Sequence, residues 1–442
     1  MVTEWAHTCE VRAEVWLTLS PSGVSAGVDA SGVILKACDL DYLTIHPSKA
    51  LVACYCTGLA VDLPFAGTTM ELVLPPPLSL GTAGLPRSQD PTTISPFPQL
   101  IIQSLSPPSS LQSIDGAYES THWYNPTELA LGITSSCNNS PADYLGCVDS
   151  LYITTKIPPW ELGNSVRARD IAREELERYY IGWWDEDANE SFSKSCTVKD
   201  DHTCDNLRKK KQPALGCLLI HAPMCWEGWH PKCSENEFSS NWRETWKGME
   251  AALHLDHTVR CIGISNFRAT EVKEMQEWIS GRQSRNKSSK MNLDPFATFP
   301  MVYQGSANPY FPPSQTLLSL INDMGARFQA YSIMGKGVYI SGKEEVEALA
   351  AASQFGGLER LISTPVLKNP VIRAIAQSYK WSTARVILEW GRAKGWLVIS
   401  RTSDAEHIKQ LGELRERWTV EPEVGMKVED VAKIDELAEW RG

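Results

Sequence analysis

Eight short β-rich runs, most of them apolar without interruption, recur between residues 78 and 400, and they limit what this chain can fold into. They are LSLGT (78–82), LQSID (111–115), SLYITTK (150–156), LGCLLIH (215–221), VRCIGIS (259–265), MVYQ (301–304), RFQAYS (327–332) and WLVIS (396–400). A strand with one solvated face alternates apolar and polar residues. A strand covered on both faces reads as a continuous apolar run. The segments between carry helix signals. Trp242, Trp246, Met249 and Leu253 recur at helical spacing, with Ser239 or Ser240 as the cap. Asn369-Pro370 predicts a helix start, with proline in the first turn, where a missing N–H costs little. Ser382 predicts the cap of a following helix that presents Val386, Ile387 and Trp390. Val428, Val431, Ile434 and Leu437 predict one apolar face near the C-terminus. Strand and helix alternating eight times predict a parallel sheet covered by helices, either closed as a (β/α)8 barrel or open and doubly wound.

The residues outside this pattern divide the chain further. Residues 1–74 are poor in charge, rich in small and apolar residues, and lack clear periodicity; they read as an N-terminal extension of unassigned fold, with the barrel over 75–442. Two polar, charged stretches, 184–212 and 280–294, read as exposed loop insertions.

Composition excludes several partners. The formal charge of the 442 residues is −11 and the pI about 5.4, which argues against nucleic acid or an anionic membrane surface. The basic run Arg208–Lys211 follows an acidic stretch and reads as a solvated loop. The first twenty residues lack a clean apolar core, and the longest apolar stretch, 51–61, is too short to span a bilayer. A soluble, cytoplasmic protein is expected. Its twelve cysteines are scattered and read as mostly reduced thiols. His221, Cys225, His230 and Cys233 have the chemistry of a zinc site, but their spacing fits no common finger, so no metal is expected.

Familiar catalytic signatures are missing. No G-x-G-x-x-G follows any run, and there is no Walker-type loop, H-E-x-x-H or G-x-S-x-G. What stands out is where the polar residues lie. Asp115, Lys156, His221, Ser265 with Asn266, Gln304, Tyr331 with Ser332, and Arg401 all sit at or just beyond the end of a run. In a parallel barrel those ends converge on one face. Polar residues also end strands simply because loops begin there. A lysine and a histidine each closing an apolar run are harder to dismiss, since an unpaired buried charge is costly.

Taken in order, GTAGLP (81–86), YITTK (152–156), LLIH (218–221), ISNF (264–267) preceded by VRCIG, QGSANPYF (304–311), AYS (330–332) and WLVISRTSDAEHI (396–408) resemble the aldo-keto reductases over about residues 77–440. The resemblance implies the closed barrel and reversible hydride transfer between NAD(P)H and a carbonyl. It further implies a catalytic Asp, Tyr, Lys and His. Lys156 and His221 match directly, and Asp115 matches through SIDGAY. Two tyrosines follow Asp115. Tyr124 has the family's downstream context in YNPTELALG, at the cost of four extra loop residues, whereas Tyr118 stands too early; Tyr124 is preferred. In this scheme Tyr124 donates the proton, Lys156 lowers its pKa from near ~10, Asp115 holds Lys156, and His221 orients the substrate oxygen.

The same resemblance assigns the cofactor side. Ser265, Asn266 and Gln304 would hold the nicotinamide carboxamide, and Tyr331, beside Ser332, would stack on its ring. Arg401 stands where the family has a lysine at the 2′-phosphate, Thr402 where it has serine, and His407 where it has arginine. NADP(H) is expected, with NAD(H) as an option. The substrate is a small-molecule carbonyl or alcohol. Ala222 replaces a common tryptophan, and Trp226 and Trp229 either line an apolar pocket or pack under the long insertion. Two rivals stay open: a barrel that binds nucleotide or a protein partner without turnover, and a zinc-dependent hydrolase built on His221. The oligomeric state is not legible.

Overall fold

A computed structural model describes residues 7–11, 15–20, 23–28, 33–37, 63–65, 68–70, 73–85, 96–119, 123–137, 147–180, 214–225, 230, 232–233, 241–288, 296–335, 365–420 and 425–439. The chain forms two compact units, residues 1–73 and 74–442.

The first unit is built from antiparallel pairs: β1 (His7–Val11) with β4 (Val33–Ala37), β2 (Val15–Ser20) with β3 (Gly23–Val28), and β5 (Leu63–Phe65) with β6 (Thr68–Met70). Val15, Leu17 and Leu19 do alternate with other residues, a two-residue period too short to stand out among so many small apolar neighbours.

The second unit is a closed barrel of eight parallel strands: β7 (Leu78–Gly81), β8 (Ser113–Asp115), β9 (Tyr152–Ile157), β10 (Cys217–Ile220), β11 (Ile262–Ser265), β12 (Val302–Ser306), β13 (Arg327–Tyr331) and β14 (Leu397–Ser400). Each sequence-predicted run overlaps one of them; β9 and β12 extend past their runs, by one and two residues. Pairing of β14 with β7, Ser400 beside Leu80, closes the sheet and excludes the doubly wound alternative. Every residue of β7 to β11 and of β14 is buried. One face of each such strand fills the barrel and the other lies under helices, which is why the runs are continuously apolar.

The helices follow their caps. The side chain of Asn369 accepts from the Val371 N–H at the start of the helix Pro370–Tyr379, and Ser382 accepts from Arg385 N–H at the start of Thr383–Ala393. The helix Trp242–His254 buries Trp242, Trp246, Met249 and Leu253 as predicted, but Asn241 is its N-cap residue; Ser239 and Ser240 lie outside the described residues.

Three expectations need correction. First, residues 280–288 belong to the helix Ala269–Ser288 and are not a loop. Arg282 bonds both oxygens of the buried Glu250, at 3.0 and 2.7 Å, and Gln283 bonds the Ala297 carbonyl, so packing overrides a polar sequence. The stretch 184–212 lies outside the described residues. Second, Val428 is 80% exposed, whereas Ile434 and Leu437 are buried. That helix docks through its last turn, where Asp435 accepts from Trp390 and Lys394. Third, among the described residues three cysteine pairs are bonded: Cys137–Cys147, Cys217–Cys261 and Cys225–Cys233. Cys217 and Cys261 are 44 residues apart, and parallel pairing of β10 with β11 brings their strands together. Among the described residues no helix is long and apolar enough to cross a membrane.

Candidate active site

The barrel register decides which side chains meet. Lys156, next to last in β9, is wholly buried. A buried ammonium costs several kcal/mol unless it is paired and hydrogen-bonded. Asp115 closes the adjacent strand β8, beside Thr154, and supplies the counter-charge. The ammonium donates to Asp115 Oδ1 at 2.9 Å, to Oδ2 at 2.8 Å and to the Gly116 carbonyl at 2.6 Å. From β12, Gln304 Nε2 donates to Asp115 Oδ1 at 2.7 Å and to Gln329 Oε1 at 3.0 Å. Its amide nitrogen is thus committed to the barrel interior, and Gln304 can meet a carboxamide only through its oxygen.

Tyr124 precedes the helix Pro126–Cys137 and is buried against this pair. The Lys156 ammonium lies 5.0 Å from the centre of its ring, and the His221 ring stands edge-on at 5.5 Å. Burial raises the phenol well above its ordinary range, and the Asp115 and Glu119 carboxylates and Tyr331 add to the rise. The net shift is therefore upward, where the sequence reading expected it to be downward. Asp115, at 2.8 Å, offsets the lysine's charge, and loss of solvent dominates. Tyr118 points elsewhere: its hydroxyl donates to Glu174 at 2.6 Å and accepts from Arg167 at 2.7 Å.

His221 follows β10. Its backbone N–H donates to Ile157 O, and its carbonyl accepts from Asn266 Nδ2 at 2.9 Å. Its Nδ1 lies 2.6 Å from Oε1 of Glu119, a buried carboxylate that the sequence reading missed. The usable signal was a second carboxylate four residues after Asp115 in the same loop. Beyond His221 the bonded Cys225 and Cys233 pack with Ala222 and Trp160. Bonded to each other, these two cysteines are not thiolate ligands for zinc. Trp226 and Trp229 lie outside the described residues.

On the other side of the rim, Ser265 closes β11 with a buried hydroxyl that has no hydrogen-bond partner among the described residues. Asn266 has φ 60° and Ser332 φ 53°, left-handed backbone at the ends of two strands. Tyr331 donates to Asn266 Oδ1 at 2.7 Å, and burial pushes its phenol up to about 12. The unmatched Ser265 hydroxyl beside the Asn266 amide fits a carboxamide, which has both a donor and an acceptor.

Arg401, Thr402 and His407 gather after β14 at the start of the helix Ala405–Val420. Arg401 Nη1 donates to the Ala83 and Gly84 carbonyls, each at 2.8 Å. Gly84 has φ 62°, and a Cβ there would press on the same guanidinium, so glycine is required. The Asp404 carboxylate accepts from His407 N–H at 3.0 Å, Thr402 Oγ1 accepts from Asp404 N–H at 3.1 Å, and the His407 side chain is exposed. The helix N-terminus suits an anion, though Asp404 already places a negative charge there.

Residues 147–436 match the model of the Aldo/keto reductase family. The chain is 22% identical over 304 residues to an NAD(P)H-dependent pentose reductase of Pyricularia oryzae, covering 68% of this chain and 75% of that protein. It is 24% identical over 230 residues to aldo-keto reductase family 1 member A1 of Pongo abelii, spanning 46% of this chain and 58% of that relative. In fold it is similar to the crystal structure of a Bombyx mori aldo-keto reductase in complex with NADP, with a TM-score of 0.53 and 20% identity, over 86% of this chain and 95% of that one.

Proposed function

The chain belongs to the aldo/keto reductase family, and on that premise we propose that it is an NAD(P)-dependent oxidoreductase that reduces an aldehyde or ketone, or oxidises the corresponding alcohol. The barrel, residues 75–442, is assigned the whole of this chemistry. The observation that carries the reading is the meeting of Asp115, Lys156 and His221, at or just after the C-terminal ends of three successive barrel strands, with Tyr124 from the loop before the helix Pro126–Cys137.

In this reading Tyr124 holds a proton at its phenolic oxygen and gives it to the substrate's carbonyl oxygen. Burial keeps that phenol protonated through neutral pH, as a donor requires. Lys156 stabilises the phenolate left behind, and Asp115 fixes the ammonium in place. His221 faces the same oxygen and limits the charge that develops there; a donor so placed contributes on the order of 10²-fold. A positioned general acid contributes about 10²–10⁴-fold. Bound NADPH, or NADH, would supply the hydride that the carbonyl carbon accepts, yielding the alcohol and the oxidised cofactor. Ser265 and Asn266 would hold its carboxamide, assisted by the Gln304 oxygen, with Tyr331 and Ser332 beside the ring and Arg401, Thr402 and His407 toward the adenosine end. NADP(H) is the expected cofactor and NAD(H) the alternative; the similar pentose reductase of Pyricularia oryzae is named for NAD(P)H.

The test pairs binding with turnover. NADPH fluorescence is titrated with protein, and NADPH consumption is followed with a panel of aromatic and aliphatic aldehydes. Binding with consumption is expected. Binding without consumption of any aldehyde would replace the enzyme by a nucleotide-binding barrel.

A further inference from the structure

Glu119 has no place in the scheme above, yet it is 3% exposed and stands against the site. Its Oε1 is 2.6 Å from His221 Nδ1, and among the described residues neither of its oxygens has a hydrogen-bond partner. A buried carboxylate without a donor is costly unless a positive charge compensates it. Lys156 does not serve, because its donors go to Asp115 and Gly116. Arg178 is paired with Glu175, and the group in contact with Glu119 is the imidazole at 2.6 Å.

We propose that Glu119 is the positioning residue for His221: it fixes Nδ1 toward itself, so that Nε2 is the nitrogen presented to the substrate oxygen, and it balances the charge of an imidazolium. The chemistry follows from the two sides of the ring. A neutral imidazole has one N–H. A proton on Nδ1, facing a carboxylate, would leave Nε2 an acceptor, which repels a carbonyl oxygen. A proton on Nε2 alone would leave Nδ1 facing Glu119 lone pair to lone pair. Protons on both nitrogens satisfy both contacts, and a charge-assisted donor is roughly twice as strong as a neutral one. Tyr124 stands edge-on to this ring; Asp115 and Tyr331 act on the same phenol, Lys156 lies over it, and Glu119 in turn feels the buried Glu175, which is paired with Arg178. Lys156 and Asp115 neutralise each other, as do Arg178 and Glu175, and Glu119 is the carboxylate in contact with the imidazole.

This inference rests on the proposed carbonyl chemistry, but its test does not need turnover. Nitrogen-15 NMR of histidine-labelled protein at neutral pH, with the His221 signals identified by their loss in His221→Gln, reads the ring directly. Both nitrogens protonated in the wild type and one protonated in Glu119→Gln is the expected pair of results. Glu119→Asp, which keeps the charge, should retain both protons and protects the test against a Glu119→Gln chain that fails to fold. A neutral ring in the wild type, or a ring unchanged by Glu119→Gln, would overturn the proposal. With an active aldehyde, Glu119→Gln should lower kcat about tenfold or more and leave the cofactor's KM within about twofold, with partial rescue by Glu119→Asp. A fall in cofactor affinity alone would also overturn it. Absence of turnover with the NMR result intact would count against the reductase reading and leave the Glu119–His221 pair standing.

Discussion

Asp115 and Lys156, near the ends of neighbouring strands, face each other at 2.8 Å with the lysine side chain wholly out of solvent. Asp115→Asn keeps the shape and removes the counter-charge. It is expected to destabilise the barrel by about 3–5 kcal/mol, the usual result of stranding one member of a buried pair. The double variant Asp115→Asn/Lys156→Met should recover most of that loss. Urea unfolding midpoints check both; a single variant as stable as the wild type would contradict the pairing.

The buried phenols make an alkaline prediction. Tyr124, Tyr152 and Tyr179 are all raised well above the ordinary range, by burial first. In the unfolded chain they titrate near ~10. Above that pH the unfolded chain releases protons that the folded chain keeps, so stability is fully present below about pH 10 and falls as pH rises beyond it. Tyr124→Phe removes one of these groups. The fall in urea midpoint between about pH 9 and about pH 11 should be shallower than in wild type.

His254 works on the acid side. Burial lowers its pKa to about 4, and its Nε2 meets Thr298 Oγ1 at 2.7 Å. As pH drops from near ~6.5 toward about 4, the unfolded chain takes up a proton that the folded ring refuses, and stability falls. His254→Gln should flatten this limb in a pH series of thermal melts.

Arg401 is the surviving cation where the 2′-phosphate of NADP(H) is expected. Arg401→Met should weaken NADPH by roughly ten- to a hundredfold, the worth of a charged hydrogen bond, and NADH by much less. Paired fluorescence titrations read the difference. Equal losses for the two cofactors would mean that the arginine serves the Gly84 turn and not the phosphate.

Most of the barrel was legible because strands buried on both faces must be apolar throughout, and LLI (218–220) or LVI (397–399) could hardly be anything else. Lys156 and His221 showed because charge at the end of such a run demands a partner. Glu119 did not show, because its partner lies across two strands and a glutamate after tyrosine in a loop looks solvated. The Cys217–Cys261 pair was hidden for the same reason: parallel pairing, not sequence spacing, brings the residues together. At 280–288 local polarity pointed to a loop, and only the buried Glu250 reaching Arg282 shows why the helix continues. The direction of the Tyr124 shift depended on burial, which a motif does not display.

The most direct measurement sets NADPH oxidation by wild-type protein with an aromatic aldehyde beside that of Tyr124→Phe, in samples shown to bind NADPH equally. A loss of about 10²-fold or more in the variant is expected if the phenol 5.0 Å from Lys156 delivers the proton. Equal rates would remove Tyr124 from that role and with it the catalytic centre described here.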